Sequence, residues 1–156
     1  MTGFAEVSDI LWRERELLDV LLFKLEAEQL LLGSGNVRWL SRATREIDLV
    51  LEQLRLTELT RALELDAVAV QLGLGADVTL AGLAAAAPSP WGDLFFAHRT
   101  AFVTLIEQIA TLTEANRGAL AAACEDTEKR LVALGAGDLA GFAIPHQLLP
   151  PGGSVS

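Results

Sequence analysis

The side chains of this chain that could carry chemistry are two histidines, one cysteine and several carboxylates. Neither His98 nor His146 has a glutamate three residues before it, which is the spacing that carboxylate-bridged metal sites use in helical bundles. We therefore predict no metal site. His98 is interpreted as a half-exposed polar residue on a helix.

The cysteine and the glycine-rich turn offer little more. Cys124 lies among alanines with Glu125 and Asp126 beside it, which disfavours the thiolate, so we predict a small core residue. A single cysteine permits no internal disulfide and fits a reducing compartment. The Gly33–Gly35 turn lacks the lysine and hydroxyl residue that follow in a phosphate-binding loop. It is predicted to end a helix.

The remaining candidates are carboxylates on the first helix, at Glu14, Glu16, Glu26 and Glu28. They interrupt a leucine-rich stretch, and we interpret them as a solvated face. Serines and histidines form no recognisable nucleophile and base pair. We predict no catalytic residue, no cofactor and no enzyme activity.

The first helix, expected over residues 8–32 with Ser8 or Asp9 as its cap, organises the chain. Its leucines recur every seven residues, and further apolar side chains widen the same side into a broad stripe that must be buried. The charged residues between them break every apolar run well before the ~20 residues of a membrane span. The repeat consists of Leu11, Leu18, Leu25 and Leu32.

The second helix is expected over residues 37–72, with Asn36 as its cap and antiparallel to the first because the loop is short. Its apolar positions fall into two sets whose phase differs by two residues, so the contacting side is expected to rotate around the helix. A third helix or a second chain should cover the second set. The first set is Leu40, Ala43, Ile47, Val50 or Leu51, and Leu54; the second is Leu56, Leu59, Leu63 and Val70.

Glycines and prolines interrupt the helical pattern over residues 73–90. Thr79 is predicted to cap a short helix over residues 80–86, with a loosely ordered linker as the alternative. The third long helix is expected over residues 90–134, with Ser89 as cap and Pro90 at the first helical position. Gly118 marks a weak point, since glycine in a helix costs ~1 kcal/mol relative to alanine.

These elements predict an all-α fold, an elongated antiparallel three-helix bundle or coiled coil with a short extra helix between the second and third long helices. Residues 1–134 would form the helical domain, and residues 135–156 a flexible tail. Trp12, Trp39 and Trp91 are expected to staple the core, with contact to a partner as the alternative.

The net charge and the first residues of the chain argue against several classes of function and location. The net charge of −9 over 156 residues argues against a nucleic-acid surface and an anionic membrane. The first residues lack the basic and apolar regions of a signal peptide, and a cytoplasmic location is expected.

Three segments carry a resemblance to a known family. They are FKLE at residues 23–26, RWLxRATRE at 38–46, and PxPW at 88–91, the last followed by Ala97, His98, Arg99 and Phe102. In this order they resemble the FlgN family of flagellar export chaperones, particularly its actinobacterial branch, over about residues 10–134.

The resemblance implies a chaperone that binds the C-terminal helical segments of hook-associated proteins, keeps them unassembled and delivers them to the flagellar export gate. Family members are thought to dock the gate through an aromatic residue in their C-terminal part. This chain has no tyrosine, so no gate-docking residue is carried over.

Client binding is expected on the second half of the third long helix, because an amphipathic helix longer than its own bundle offers a face to another helix. The alternative for each residue is packing within the chain. A second hypothesis is a self-associating helical scaffold that pairs through the Leu11 to Leu32 repeat; the chain is expected to be a monomer or a weak dimer. The client-binding residues are Leu112, Leu120, Cys124, Leu131 and Leu134.

Overall fold

A computed structural model describes residues 3–35 and 37–133, which form α-helices joined by turns and contain no strand. This confirms the all-α prediction. The predicted cap at Asn36, the end of the last helix at Leu134 and the tail over 135–156 lie outside the described residues. The helices are α1 (Phe4–Ser34), α2 (Leu40–Gln71), α3 (Leu80–Ala86) and α4 (Trp91–Ala133), with a 3-10 helix over Val37–Trp39.

Helix α1 begins at Phe4, so the predicted start at Ser8 is wrong, and Ser8 is buried inside the helix. Gly3 takes the cap position instead: its N–H donates to Oε2 of Glu6 at 2.7 Å, and its carbonyl accepts from the N–H of Val7 at 2.9 Å. Gly3 has φ +120°, and a Cβ there would lie 2.8 Å from Cγ2 of Val68. Glycine is therefore required at this helix start.

The buried positions of α1 repeat with alternating spacings of three and four residues, as in a heptad pattern. Leu11, Leu18 and Leu25 are buried as predicted, whereas Leu32, the last member of the predicted repeat, is half-buried. The companion row, which consists of the residues three positions after each leucine of the repeat, contains two glutamates that are also buried. Apart from Ser8, the buried residues of α1 are Phe4, Val7, Leu11, Glu14, Leu18, Leu21, Leu25 and Glu28.

Helix α2 keeps one buried face along its whole length, so the predicted rotation of its contacting side is wrong. Two polar residues occupy positions on this buried face. Thr57 is buried and donates to the carbonyl of Gln53 at 2.8 Å. Arg61 is half-buried and pairs with Glu14. The second apolar set is exposed. The buried face comprises Leu40, Ala43, Ile47, Val50, Leu54, Thr57, Leu65, Val68 and Ala69.

The short helix α3 matches the predicted range, and its cap is confirmed. Thr79 is extended, with ψ 161°, and its hydroxyl oxygen accepts from the N–H of Gly82 at 3.0 Å. Leu83 and Ala84 are buried. This helix packs so closely against the start of α4 that a Cβ on Gly92 would lie 2.8 Å from the carbonyl oxygen of Ala84.

Helix α4 starts at Trp91 after a cis peptide bond between Ser89 and Pro90. The carbonyl of Pro90 accepts from the N–H of Leu94 at 3.3 Å, so Pro90 takes the cap position that was predicted for Ser89. The helix then continues through Gly118 to Ala133 without a break.

The described residues form two compact units. Unit 1 consists of residues 3–22 and 49–108, and so holds the first part of α1, most of α2, α3 and the start of α4. Unit 2 consists of residues 23–35, 37–48 and 109–133. Each unit has its own helix-on-helix core.

Candidate partner-binding surface

The predicted client-binding residues belong to the part of α4 that lies in unit 2. Leu120 is buried, while Leu112, Cys124 and Leu131 are half-buried. Leu134 lies outside the described residues. The described residues thus place one of these side chains in the core and three at the boundary between core and solvent.

Beyond Leu120, α4 has no buried residue up to Ala133. Three side chains there are half-buried, at Ala123, Cys124 and Leu131, and Val132 is 73% exposed. A helix of 13 residues without a buried side chain retains a face that can accept another helix.

The exposed side of the same stretch carries charge pairs one helical turn apart. Lys129 lies 3.0 Å from Glu125, and Arg130 lies 3.1 Å from Asp126. Pairs at this spacing support a helix by about 0.2–0.5 kcal/mol each. They help to maintain the helix where burial does not.

A buried polar cluster connects the three long helices within unit 2. The amide nitrogen of Asn116 donates to Oε1 of Glu28 at 3.0 Å and to the carbonyl of Leu25 at 2.9 Å. The hydroxyl of Thr44 lies 3.1 Å from Oε2 of Glu28 and 3.0 Å from the carbonyl of Leu40. Asn116 and Glu28 are both buried, so this contact fixes α4 against α1 inside the unit.

Burial raises the pKa of Glu28, against the opposing hydrogen bonds from Thr44 and Asn116. Burial likewise raises the pKa of Glu14, although Arg61 lies 3.1 Å from that carboxylate and acts in the other direction. The interpretation of Glu14 and Glu28 as a solvated face is therefore wrong, whereas Glu16 and Glu26 are exposed. Glu14 and Glu28 each lie three residues after a leucine of the repeat, and this spacing was the signal in the sequence that they would be buried.

Two segments of the family resemblance meet in unit 2. Lys24, in FKLE, donates to Oε2 of Glu46, in RWLxRATRE, at 3.0 Å, and this contact lowers the pKa of Glu46. Thr44, in the same segment, contributes to the polar cluster. These contacts join α1 to α2 inside unit 2.

The PxPW segment packs in unit 1. Trp91 stacks on Phe4, with ring centroids 5.9 Å apart, and on Phe95 at 6.2 Å, while Phe4 and Phe95 are separated by 6.1 Å. The cluster joins the start of α4 to the start of α1. Among the three tryptophans, Trp91 contributes to the core as predicted.

Trp12 and Trp39 are instead about half exposed, and each has an arginine over its ring: Arg15 at 4.3 Å and Arg38 at 4.9 Å from the ring centroid. The prediction that these two staple the core is wrong, and both lie where a partner could touch them. A hollow of about 730 Å³ beside Trp12 is walled by small side chains of α4, at Ala97, Thr100, Ala101 and Thr104.

His98 is 1% exposed, so its interpretation as half-exposed is also wrong. Burial, and to a lesser extent the charge of Arg15, lower its pKa. Arg15 donates to Nδ1 of His98 at 3.3 Å, which places the imidazole proton on Nε2. A neutral, enclosed imidazole of this kind belongs to the core of unit 1.

Residues 3–35 and 37–133 bring together no group of three histidine, cysteine or acidic residues that could hold a metal ion. Within the same ranges, none of the helices combines the length and the apolar composition that crossing a membrane requires. The arrangement that the described residues do present is a set of helix faces suited to binding other helices.

The family model described as FlgN protein matches residues 1–140. No curated protein and no solved structure matches the chain. Because the family model spans most of the 156 residues, the chain belongs to the FlgN family, whose members are flagellar export chaperones.

Proposed function

We infer that this chaperone binds the C-terminal helical segments of hook-associated proteins along the second half of α4. The observation that carries this inference is the absence of any buried side chain in α4 between residues 121 and 133. Such a helix can bury its remaining apolar side against an amphipathic client helix, in the helix-in-groove mode. The client-binding set comprises Leu112, Leu120, Cys124, Leu131 and Leu134.

Within this set, we assign different roles to two of the leucines. Leu120 is buried, so it supports the core beneath the surface, while half-buried Leu131 remains available to a client. A client segment that folds on binding loses about 2–5 kcal/mol of the interaction to ordering. Binding is therefore moderate in strength, and the client can be released at the export gate.

The test is calorimetric titration of the full chain with a peptide covering the C-terminal helix of a hook-associated protein from the same organism. We expect saturable binding near one to one with a negative heat-capacity change from apolar burial. Leu131→Asp should weaken binding at least tenfold while circular dichroism stays unchanged, because the variant loses the burial of the remaining leucine surface, worth about 1 kcal/mol, and would also bury a carboxylate against the client.

The matched control is Ala122→Asp. Ala122 is exposed on the same helix and lies nine residues, or two and a half turns, before Leu131, so it occupies the opposite face. It should bind the peptide like the wild type. Equal losses from both variants, or no binding by the wild type, would exclude this surface as the client site.

Delivery to the export gate is the second step of the proposed function. The client-loaded chaperone should bind the cytosolic part of the gate more tightly than the empty chaperone, because loading changes what α4 exposes. Analytical gel filtration of the gate domain with each form compares the two. If the gate domain binds the empty and the client-loaded chaperone equally, client binding does not control delivery, and this step of the proposal is rejected.

A further inference from the structure

The outer side of α2 carries an apolar stripe that the rest of unit 1 leaves uncovered. Leu49, Leu56, Leu63 and Val70 follow one another at intervals of seven residues, and Leu59 lies beside them. Their exposed fractions range from 58% to 79%. Large aliphatic side chains at this spacing form a seam for another helix, unlike apolar residues scattered singly over a surface.

This seam is separate from the core of unit 1. Leu54, Leu65 and Val68 bury the other side of the same helix. The leucine repeat of α1, which the sequence offered as the seam for self-association, is consumed inside the chain, with Leu11 and Leu18 buried. Within residues 3–35 and 37–133, the repeat of exposed leucines that is available to a second chain lies on α2.

Charged residues within the seam select its partner's orientation. Glu52 and Asp66 stand three residues after Leu49 and Leu63, in the companion row whose middle position is Leu59. Two copies aligned in parallel would place Glu52 against Glu52 and Asp66 against Asp66, which is destabilising.

An antiparallel pair, with its two-fold axis between residues 59 and 60, removes that conflict. Leu56 then faces Leu63 of the partner subunit, and Leu49 faces Val70 of the partner subunit. Glu52 meets the small side chain of Ala67 of the partner subunit.

Arg55 and Asp66 lie on the same edge of the seam. In the antiparallel pair, Arg55 of each copy comes within about one helical turn of Asp66 of the partner subunit. Arg55 already lies 2.9 Å from Glu52 of its own chain. In this orientation the seam is thus complementary to itself in charge.

We propose that two copies of this chain pair antiparallel through the α2 seam of Leu49, Leu56, Leu59, Leu63 and Val70. The seam spans 22 residues, about 33 Å of helix, which is short for a coiled coil. Each copy also carries a net charge of −9, and this opposes association. The dimer is therefore weak and forms at high chain concentration. It does not depend on the proposed client site, which lies on α4.

Sedimentation velocity of the full chain over a hundredfold range of concentration measures the pairing. We expect the wild type to shift from monomer to dimer, and the double variant Leu56→Asp/Leu63→Asp to stay monomeric with unchanged circular dichroism. The matched control is Phe23→Asp/Leu30→Asp, because these two exposed residues lie seven apart on α1. It should dimerise like the wild type. A wild type that stays monomeric, or a control that loses the dimer, would overturn the proposal.

Cysteine cross-linking tests the orientation in a Cys124→Ser background. Leu59→Cys lies next to the two-fold axis and should form a disulfide between chains under mild oxidation, whereas Glu52→Cys should not, because an antiparallel partner carries it far from its counterpart. Efficient cross-linking of Glu52→Cys would indicate a parallel pair and reject the proposed geometry. Loss of client-peptide binding in Leu56→Asp/Leu63→Asp, with no wild-type dimer, would assign the seam to the client instead.

Discussion

The indole of Trp12 stands edge-on against the imidazole of His98, with ring centroids 4.9 Å apart and an angle of 81° between the rings. Arg15 lies over the same indole and donates to Nδ1 of the imidazole. A half-exposed tryptophan and an arginine thus shield a histidine of the core from water.

The pH dependence of stability should report this shielding. The pKa of His98 is lowered from 6.5, so its contribution to the free energy of unfolding is present above pH 6.5 and is lost as the pH falls through and below that value, where the unfolded chain binds the proton more readily. In urea unfolding, the stability of the wild type relative to His98→Gln should decline on acidification from about pH 7.5 to about pH 5.5. A difference that stays constant over this range would contradict the assignment.

The buried carboxylate of Glu28 should give the opposite dependence of stability on pH. Its pKa is raised above 4.5, so stability is greatest below that value and is lost as the pH rises through the raised pKa. Glu28→Gln should raise the free energy of unfolding near neutral pH by about 1 kcal/mol, because the amide oxygen still accepts from Asn116 and the amide N–H donates to the hydroxyl oxygen of Thr44, without a buried charge. Denaturant unfolding measures the gain. It should shrink as the pH approaches 4.5.

The matched comparison is Glu14→Gln. Glu14 is also buried with a raised pKa, but its carboxylate faces half-buried Arg61, whose charge would then be unpaired. This variant should not share the gain of Glu28→Gln near neutral pH. Equal gains from the two substitutions would show that Arg61 contributes nothing to the stability of unit 1.

Substitution of Asn116 tests the polar cluster from the α4 side. Asn116→Asp would place a second carboxylate about 3 Å from that of Glu28, so the variant should be strongly destabilised at neutral pH and recover as the pH is lowered. Asn116→Leu leaves Oε1 of Glu28 without this donor and should cost about 1–3 kcal/mol. Thermal unfolding followed by circular dichroism distinguishes the variants. If the two variants were equally stable at low pH and also at neutral pH, the contact between Asn116 and Glu28 would be contradicted.

Two glycines of α4 should respond oppositely to alanine. At Gly92 a Cβ would lie 2.8 Å from the carbonyl of Ala84 and 3.1 Å from that of Ala87, so Gly92→Ala should destabilise the fold by about 1–3 kcal/mol. At Gly118 no atom lies within 4 Å of the added Cβ, so Gly118→Ala should stabilise it by up to ~1 kcal/mol. Melting temperatures of the two variants on either side of the wild type would confirm the contrast.

The sequence predicted the helices well because periodicity and helix breakers are local signals. Gly73 and Pro88 delimit the interruption after α2, and Thr79 caps the short helix within it, as expected from their conformational preferences. The start of α1 was missed because the cap is formed by the N–H of Gly3 and the side chain of Glu6, not by Ser8.

The environments of polar side chains were not predictable in the same way. Burial of Glu14, Glu28 and His98 depends on Arg61, Asn116 and Trp12, which come from other helices and are distant in sequence. The exposed leucines of α2 show the converse. Heptad spacing indicates that a helix side favours burial, but it does not indicate whether the partner belongs to the same chain.

The two buried glutamates of α1 lie fourteen residues apart, two heptads along the same row. A leucine-rich helix can slide by one heptad against its neighbours at little cost, since leucine then replaces leucine. Here such a slide would bring Glu14 and Glu28 opposite apolar layers and leave neither Arg61 nor Asn116 facing a carboxylate. The pair thus fixes the axial register of α1, once in each compact unit, and excludes misaligned packings that the leucines alone would tolerate.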